Sequence, residues 1–207
     1  MAMEIILATR NIDKLKQFSI FFKDLGLSLV LPRQDISVDE DRPTLRENAE
    51  KKALAYSAVY PQQFVVATDG GITIPYLGEG WNHVWTRRLS GLDISSAFTD
   101  RERCESLLAL LKDAKGEERR VSWREAYAVA HGGRIIFSEE LSGADDQGIL
   151  LDHIPDDFQE SGYWIGYLWH EPRFKKHYMA LTEEEKKSRD CATAQFIRLI
   201  KEMSIIL

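Results

Sequence analysis

The chain has little cysteine, no excess of basic charge and no long apolar run, and each absence removes a class of protein. Its two cysteines, Cys104 and Cys191, lie far apart without metal-ligand spacing, so both are expected to be reduced thiols rather than a disulfide or a metal site. The formal net charge of −6 at pH 7 argues against nucleic acid or an anionic membrane surface as partner. A local basic pocket for a small phosphorylated ligand stays open. No stretch is long enough to span a bilayer, and the opening MAMEIILATRN is too short in apolar residues for a signal peptide. A cytoplasmic protein is therefore expected. Internal repeats, low-complexity tracts and long linkers are also missing, so nothing marks a domain boundary within residues 1–207.

What is present is ordinary globular material: 207 residues, 44% hydrophobic and 29% charged, enough to bury a substantial core. The opening reads as strand, turn, helix, strand. Glu4 to Ala8 is continuously apolar after its first residue; Leu15, Phe18, Phe22 and Leu25 recur at helical spacing; Gly26 stops the helix, and Leu27 to Leu31 follows as a strand. The turn between them places Thr9, Arg10, Asn11 and Lys14 around a helix N-terminus, with Asn11 as N-cap. Free N–H groups and the positive end of the helix dipole make such a place attractive to phosphate, although a capped helix with an exposed lysine explains the same residues.

Thr44-Leu45-Arg46-Glu47 reads as a capping box opening a helix that carries Lys52 and runs to about Val59. Phe64 to Ala67 reads as a buried strand ending in a turn at Asp69-Gly70-Gly71. Two glycines admit unusual backbone conformations or close approach to a ligand. A carboxylate at a strand's end is placed to hold a metal or orient a water, or merely to start the turn. Further on, Thr99 and Thr182 open two more capping boxes, the second of them starting a last helix with Ala192, Phe196, Ile200 and Met203 on its apolar face. Val121, Trp123, Tyr127 and Val129 alternate as in a strand, His131-Gly132-Gly133 is a hairpin turn, and Arg134 to Glu140 returns as its partner. Leu150 to Lys176 reads as loops with short strands, in which Trp164, Tyr167 and Trp169 either wall a base pocket or fill the core.

Six segments in order, ATRNIDK from Ala8, TLRENAEKKA from Thr44, VVATDGGI from Val65, TRRLSG from Thr86, IGY from Ile165 and LTEEEK from Leu181, resemble the inosine/xanthosine triphosphate pyrophosphatases, the Ham1-like proteins. The resemblance covers nearly the full length. It implies an α/β fold with a long curved mixed sheet flanked by helices, a single domain of two lobes around a nucleotide cleft, and a homodimer. The activity it implies is magnesium-dependent (Mg2+) hydrolysis of a nucleoside triphosphate to the monophosphate and pyrophosphate. Thr9, Asn11 and Lys14, joined here by Arg10, match the phosphate-binding turn; Glu47 and Asp69 match the metal ligands; Asp69 and Lys52 match the catalytic pair. Gly70, Arg88, Gly166, Tyr167 and Lys186 fall on the remaining substrate-binding positions.

The departures gather on one side. Arg10 stands for a glycine, Glu79 for a proline, and Thr68-Asp69-Gly70-Gly71 for Asp-Asp-Ser-Gly. The segment Ile165-Gly166-Tyr167-Leu168-Trp169 lacks the family's base-contacting aspartate, and its Ser-His-Arg is replaced around Lys187 to Cys191, where Arg189 is the only arginine at hand. Phosphate and metal groups are mostly kept while base-reading groups are mostly changed, so an altered base preference is expected. The competing reading is a non-catalytic nucleotide-binding or dimeric scaffold, for which Thr68 in place of a paired aspartate speaks most directly.

Overall fold

The computed structural model describes residues 3–34, 36–86 and 98–202. Strand β1 (Met3–Leu7) is followed by helix α1 (Ile12–Phe22), a tight helical turn (Lys23–Leu25) and strand β2 (Leu27–Val30). Gly26, at φ 67°, closes that helix as its left-handed cap, a conformation glycine adopts without a Cβ penalty. Helix α2 (Leu45–Val59) leads to β3 (Val65–Thr73), and helix α3 (Asp100–Leu110) to the long hairpin of β4 (Arg120–His131) and β5 (Arg134–Leu141). Gly132 and Gly133 turn that hairpin with φ of 56° and 75°, as its two-residue loop requires. Then come β6 (Gln147–Leu150), a helical turn α4 (Ile165–Leu168), β7 (Trp169–Glu171), β8 (Lys176–His177), α5 (Glu183–Lys187) and α6 (Ala192–Glu202). The strands make one open mixed sheet in the order β2-β1-β3-β4-β6-β7-β8, with β5 paired to β4. Strand β1 runs parallel to β2 and β3; the pairs β4–β5, β4–β6, β6–β7 and β7–β8 are antiparallel.

The chain divides into two compact units, Met1–Gly70 with Arg124–Gly143 and Asp190–Leu207, and Gly71–Trp123 with Ala144–Arg189. Each has its own core. In unit 1, Ile5 and Leu7 from β1, Phe18 and Phe22 from α1, Val66, Tyr127 and Phe196 form one apolar cluster. Tyr127 and Phe196 stack there with centroids 4.3 Å apart. Unit 2 gathers Ile72, Trp81, Leu107, Leu111, Val121, Leu150, Trp164 and Trp169. Burial of each such side chain contributes roughly 1.5–3 kcal/mol. Both cysteines are buried and unbridged, and burial pushes the Cys104 thiol up to about 12.

Four local expectations are corrected. Strand β3 does not end in a turn at Asp69 but runs on through Gly70 and Gly71 to Thr73. Gly71 serves close packing instead, for a Cβ there would lie 1.9 Å from the His83 carbonyl oxygen. The box at Thr44 forms by half: its hydroxyl accepts from the Glu47 N–H at 3.1 Å, while the Glu47 carboxylate accepts from that hydroxyl at 2.9 Å. Thr99 and Thr182 form complete boxes. The last helix is two helices, because the chain breaks between Lys187 and Ala192 and turns Arg189 inward. Finally, Gly166 and Tyr167 sit in a helical turn rather than a loop. Met203 lies outside the described residues.

Candidate functional site

Eight of the singled-out positions lie in unit 1. In the turn after β1, the Thr9 hydroxyl accepts from the Asn11 N–H at 3.1 Å. The Asn11 side chain accepts from the N–H groups of Asp13 at 2.9 Å and Lys14 at 3.0 Å. These N–H groups are therefore already engaged, and the expected row of free donors is not what this turn presents. Its capacity for an anion rests on side chains. Arg10 is exposed. Lys14 points its ammonium toward Glu125, 3.6 Å away. Glu125 is only 3% exposed and accepts from the Tyr127 hydroxyl at 3.0 Å, which in turn lies 2.9 Å from the Thr193 hydroxyl. Burial lowers the Lys14 pKa, and the neighbouring Glu125 carboxylate opposes that shift.

Lys52, two turns into α2, donates to the Thr68 carbonyl at 3.0 Å and pairs with Glu40 at 2.5 Å. Both contacts pin it over the β3 segment that carries Asp69. Burial pushes the Asp69 carboxyl up to about 6; Lys52 and Lys14 pull it down, Glu40 pushes it further up, and a hydrogen bond from Asn48 lowers it. Among the described residues, Asp69 Oδ2 and the neighbouring Thr68 hydroxyl are buried without a hydrogen-bond partner. An orphaned buried acceptor costs roughly 1–3 kcal/mol, and Asp69 Oδ2 is one that lies within the field of two lysines. Glu47 lies on the exposed first turn of α2, engaged with Thr44. The groups that act most on Asp69 are Lys52, Glu40 and Lys14. Gly70, the next residue of β3, is half-buried.

No group of three or more His, Cys, Asp or Glu side chains suited to a metal occurs among the described residues. Magnesium, however, takes one or two carboxylates and completes its shell with water and phosphate oxygens. The unpartnered Asp69 oxygen fits that demand.

The other three described positions lie in unit 2. Gly166 packs so closely that a Cβ would meet the Met179 sulfur at 3.0 Å and the Tyr178 ring at 3.2 Å. Tyr167 is buried, with its ring centroid 4.8 Å from Phe158 and 5.4 Å from His177. Lys186 is buried with its ammonium 5.2 Å above the Tyr178 ring, and burial lowers its pKa. The segment before α4 is anchored by Asp100, whose carboxylate accepts from the Ser161 N–H at 3.1 Å and the Gly162 N–H at 2.5 Å. Arg189 is committed to buried carboxylates, 2.7 Å from Glu171 and 3.6 Å from Asp146, and donates to the Asp145 carbonyl at 2.6 Å. Its guanidinium also lies 5.2 Å above the Tyr178 ring. Arg88 lies outside the described residues.

Glu125, Glu40 and Asn48 were not anticipated as parts of this cluster. For Glu125 the signal existed: position 125 continues the alternation of Val121, Trp123, Tyr127 and Val129, which puts a carboxylate on the buried face of β4. Glu40 lies in an acidic loop, where sequence offers no reason to prefer it over its neighbours.

An open mixed sheet flanked by helices, with lysines and an unsatisfied carboxylate gathered where β1, α2 and β3 meet, defines a class of α/β protein equipped for anionic ligands. Residues 5–197 match the Ham1 family, and the chain belongs to it. A dITP/XTP pyrophosphatase of Escherichia coli (strain K12) is 31% identical over 82% of this chain and 74% of its own length. One from Clostridium perfringens is 29% identical over 88% of both. Among solved structures, a HAM1 protein from Coxiella burnetii shares the fold with a TM-score of 0.70 at 21% identity, covering 97% of this chain and 99% of that one.

Proposed function

We propose that this chain is a magnesium-dependent nucleoside-triphosphate pyrophosphatase that releases pyrophosphate and leaves the monophosphate. The observation that carries this reading is Asp69, a buried carboxyl with one unpartnered oxygen, flanked by Lys52 and Lys14. In the reaction a water attacks the α-phosphorus and the bond to the bridging oxygen of the β-phosphate breaks. Asp69 orients that water and takes its proton. Lys14 and Lys52 balance the charge that gathers on the departing pyrophosphate. Thr9, Arg10, Asn11, Gly70 and Arg88 complete the phosphate contacts, and Gly166, Tyr167 and Lys186 take the base. Glu47 and Asp69 would hold magnesium, which supplies further charge neutralisation on the phosphates when bound. We assign the working protein to the cytoplasm as a homodimer, with neither nucleic acid nor membrane as partner. Because Leu168 replaces an acceptor and Arg189 is occupied, base choice departs from strict inosine and xanthosine preference.

The reading is tested by pyrophosphate release from a panel of nucleoside triphosphates with magnesium. Wild type should release it, and Asp69→Asn should lower kcat by about 10²- to 10⁴-fold, as expected for loss of a positioned base. A wild type that binds nucleotide yet releases nothing from any triphosphate would instead be a scaffold.

A further inference from the structure

The geometry points to His177, held by Asp157, as the residue that reads the edge of the nucleobase in unit 2. This rests on the nucleotide reading above and adds to it a residue that none of the sequence motifs marked. His177 lies on β8 with its side chain 11% exposed. Its Nε2 is 3.1 Å and 3.0 Å from the two carboxylate oxygens of Asp157. Its ring tilts against Tyr167 at 5.4 Å between centroids. The other ring nitrogen, Nδ1, is fully buried and has no hydrogen-bond partner among the described residues.

These facts combine in one direction. With Nε2 engaged by the Asp157 carboxylate, Nδ1 is the ring nitrogen left to meet a ligand. A histidine that merely packed a strand would have its second nitrogen paired or in water, since buried polar atoms are ordinarily satisfied. Here the unpaired nitrogen is turned inward beside Tyr167, while the paired one faces Asp157, whose side chain is 64% exposed. Leu168 cannot hydrogen-bond a base and Arg189 is bound to Glu171. Beside Tyr167, the unpartnered Nδ1 is placed to meet a base edge, and the Lys186 ammonium lies over the neighbouring Tyr178 ring. A base whose edge carries a group complementary to Nδ1 satisfies it; a base without one leaves it orphaned, which is how a polar site discriminates.

The test is calorimetric titration of the full chain with α,β-imido triphosphates carrying different bases, and with inorganic tripolyphosphate. His177→Phe keeps a ring against Tyr167 and removes Nδ1. It should weaken the preferred nucleotide about tenfold, the value of one lost hydrogen bond to a base, and narrow the spread between bases. Tripolyphosphate affinity should not change, which a general loss of folding would not reproduce. Asp157→Ala, at an exposed position, releases Nε2 and should give a smaller loss in the same bases. An unchanged spread between bases in both variants overturns the inference, as does a wild type that binds no nucleotide. Since the imido analogues are not cleaved, binding that responds to His177 in a chain that releases no pyrophosphate would sink the hydrolytic reading alone.

Discussion

Asp69 is the residue at which folding and chemistry pull apart. Its carboxyl is raised by burial to about 6 from an ordinary 3.8, so the folded protein holds that proton more tightly than the unfolded chain. The stabilising contribution is fully present below about pH 4 and is lost as pH rises through 6; near neutrality the fold carries a desolvated charge. Asp69→Asn removes that charge. In chelator near pH 7 the variant should melt above wild type, and the gap should close as the pH is brought down toward 4. Parallel melting curves at every pH would show that Asp69 is not destabilised by its site. Lys14 illustrates the opposite arrangement, in which burial lowers the pKa of an ammonium and the buried Glu125 beside it opposes that shift.

At the scale of elements, β3 decides where Asp69 sits, and Gly71 decides that β3 can continue. With the His83 carbonyl oxygen 1.9 Å from any Cβ at position 71, even alanine forces backbone to move. Gly71→Ala should lower the urea midpoint by an amount equivalent to about 1–3 kcal/mol, the usual cost of overpacking. Gly80→Ala, which meets nothing within 4 Å, should leave the midpoint almost unchanged. Sequence showed much of this layer. The spacing of Leu15, Phe18 and Phe22, the stop at Gly26 and the Gly132-Gly133 hairpin all act within a few residues, so local chemistry is enough to read them. Two failures share the opposite cause. Gly70-Gly71 looks like a turn until the distant His83 carbonyl is laid against it, and Ser188 to Cys191 continues a helical pattern until Arg189 finds Glu171 and Asp146. The candidate site divides in the same way: Asp69, Lys52 and Lys14 were legible from motifs, whereas Glu40, Glu125 and the His177–Asp157 pair depend on contacts between remote segments.

For the whole molecule, the composition of unit 1 matters more than its sheet. Its core joins β1 and α1, the middle of β4 and, from the other end of the chain, Phe196 and Ile200 of α6. Removing the residues after Asp190 should therefore leave Phe22, Tyr127 and Phe137 uncovered. Such a truncated chain should bind a hydrophobic dye and lose its sharp thermal transition, whereas an α6 that is mere decoration would leave both unaltered. The same arrangement sets an order of events during synthesis. Helix α1 and strand β1 emerge from the ribosome early but cannot be sealed until α6 has been translated. Through most of elongation the nascent chain presents an unfinished aromatic surface, which is the kind of segment that chaperones guard and stalled ribosomes expose.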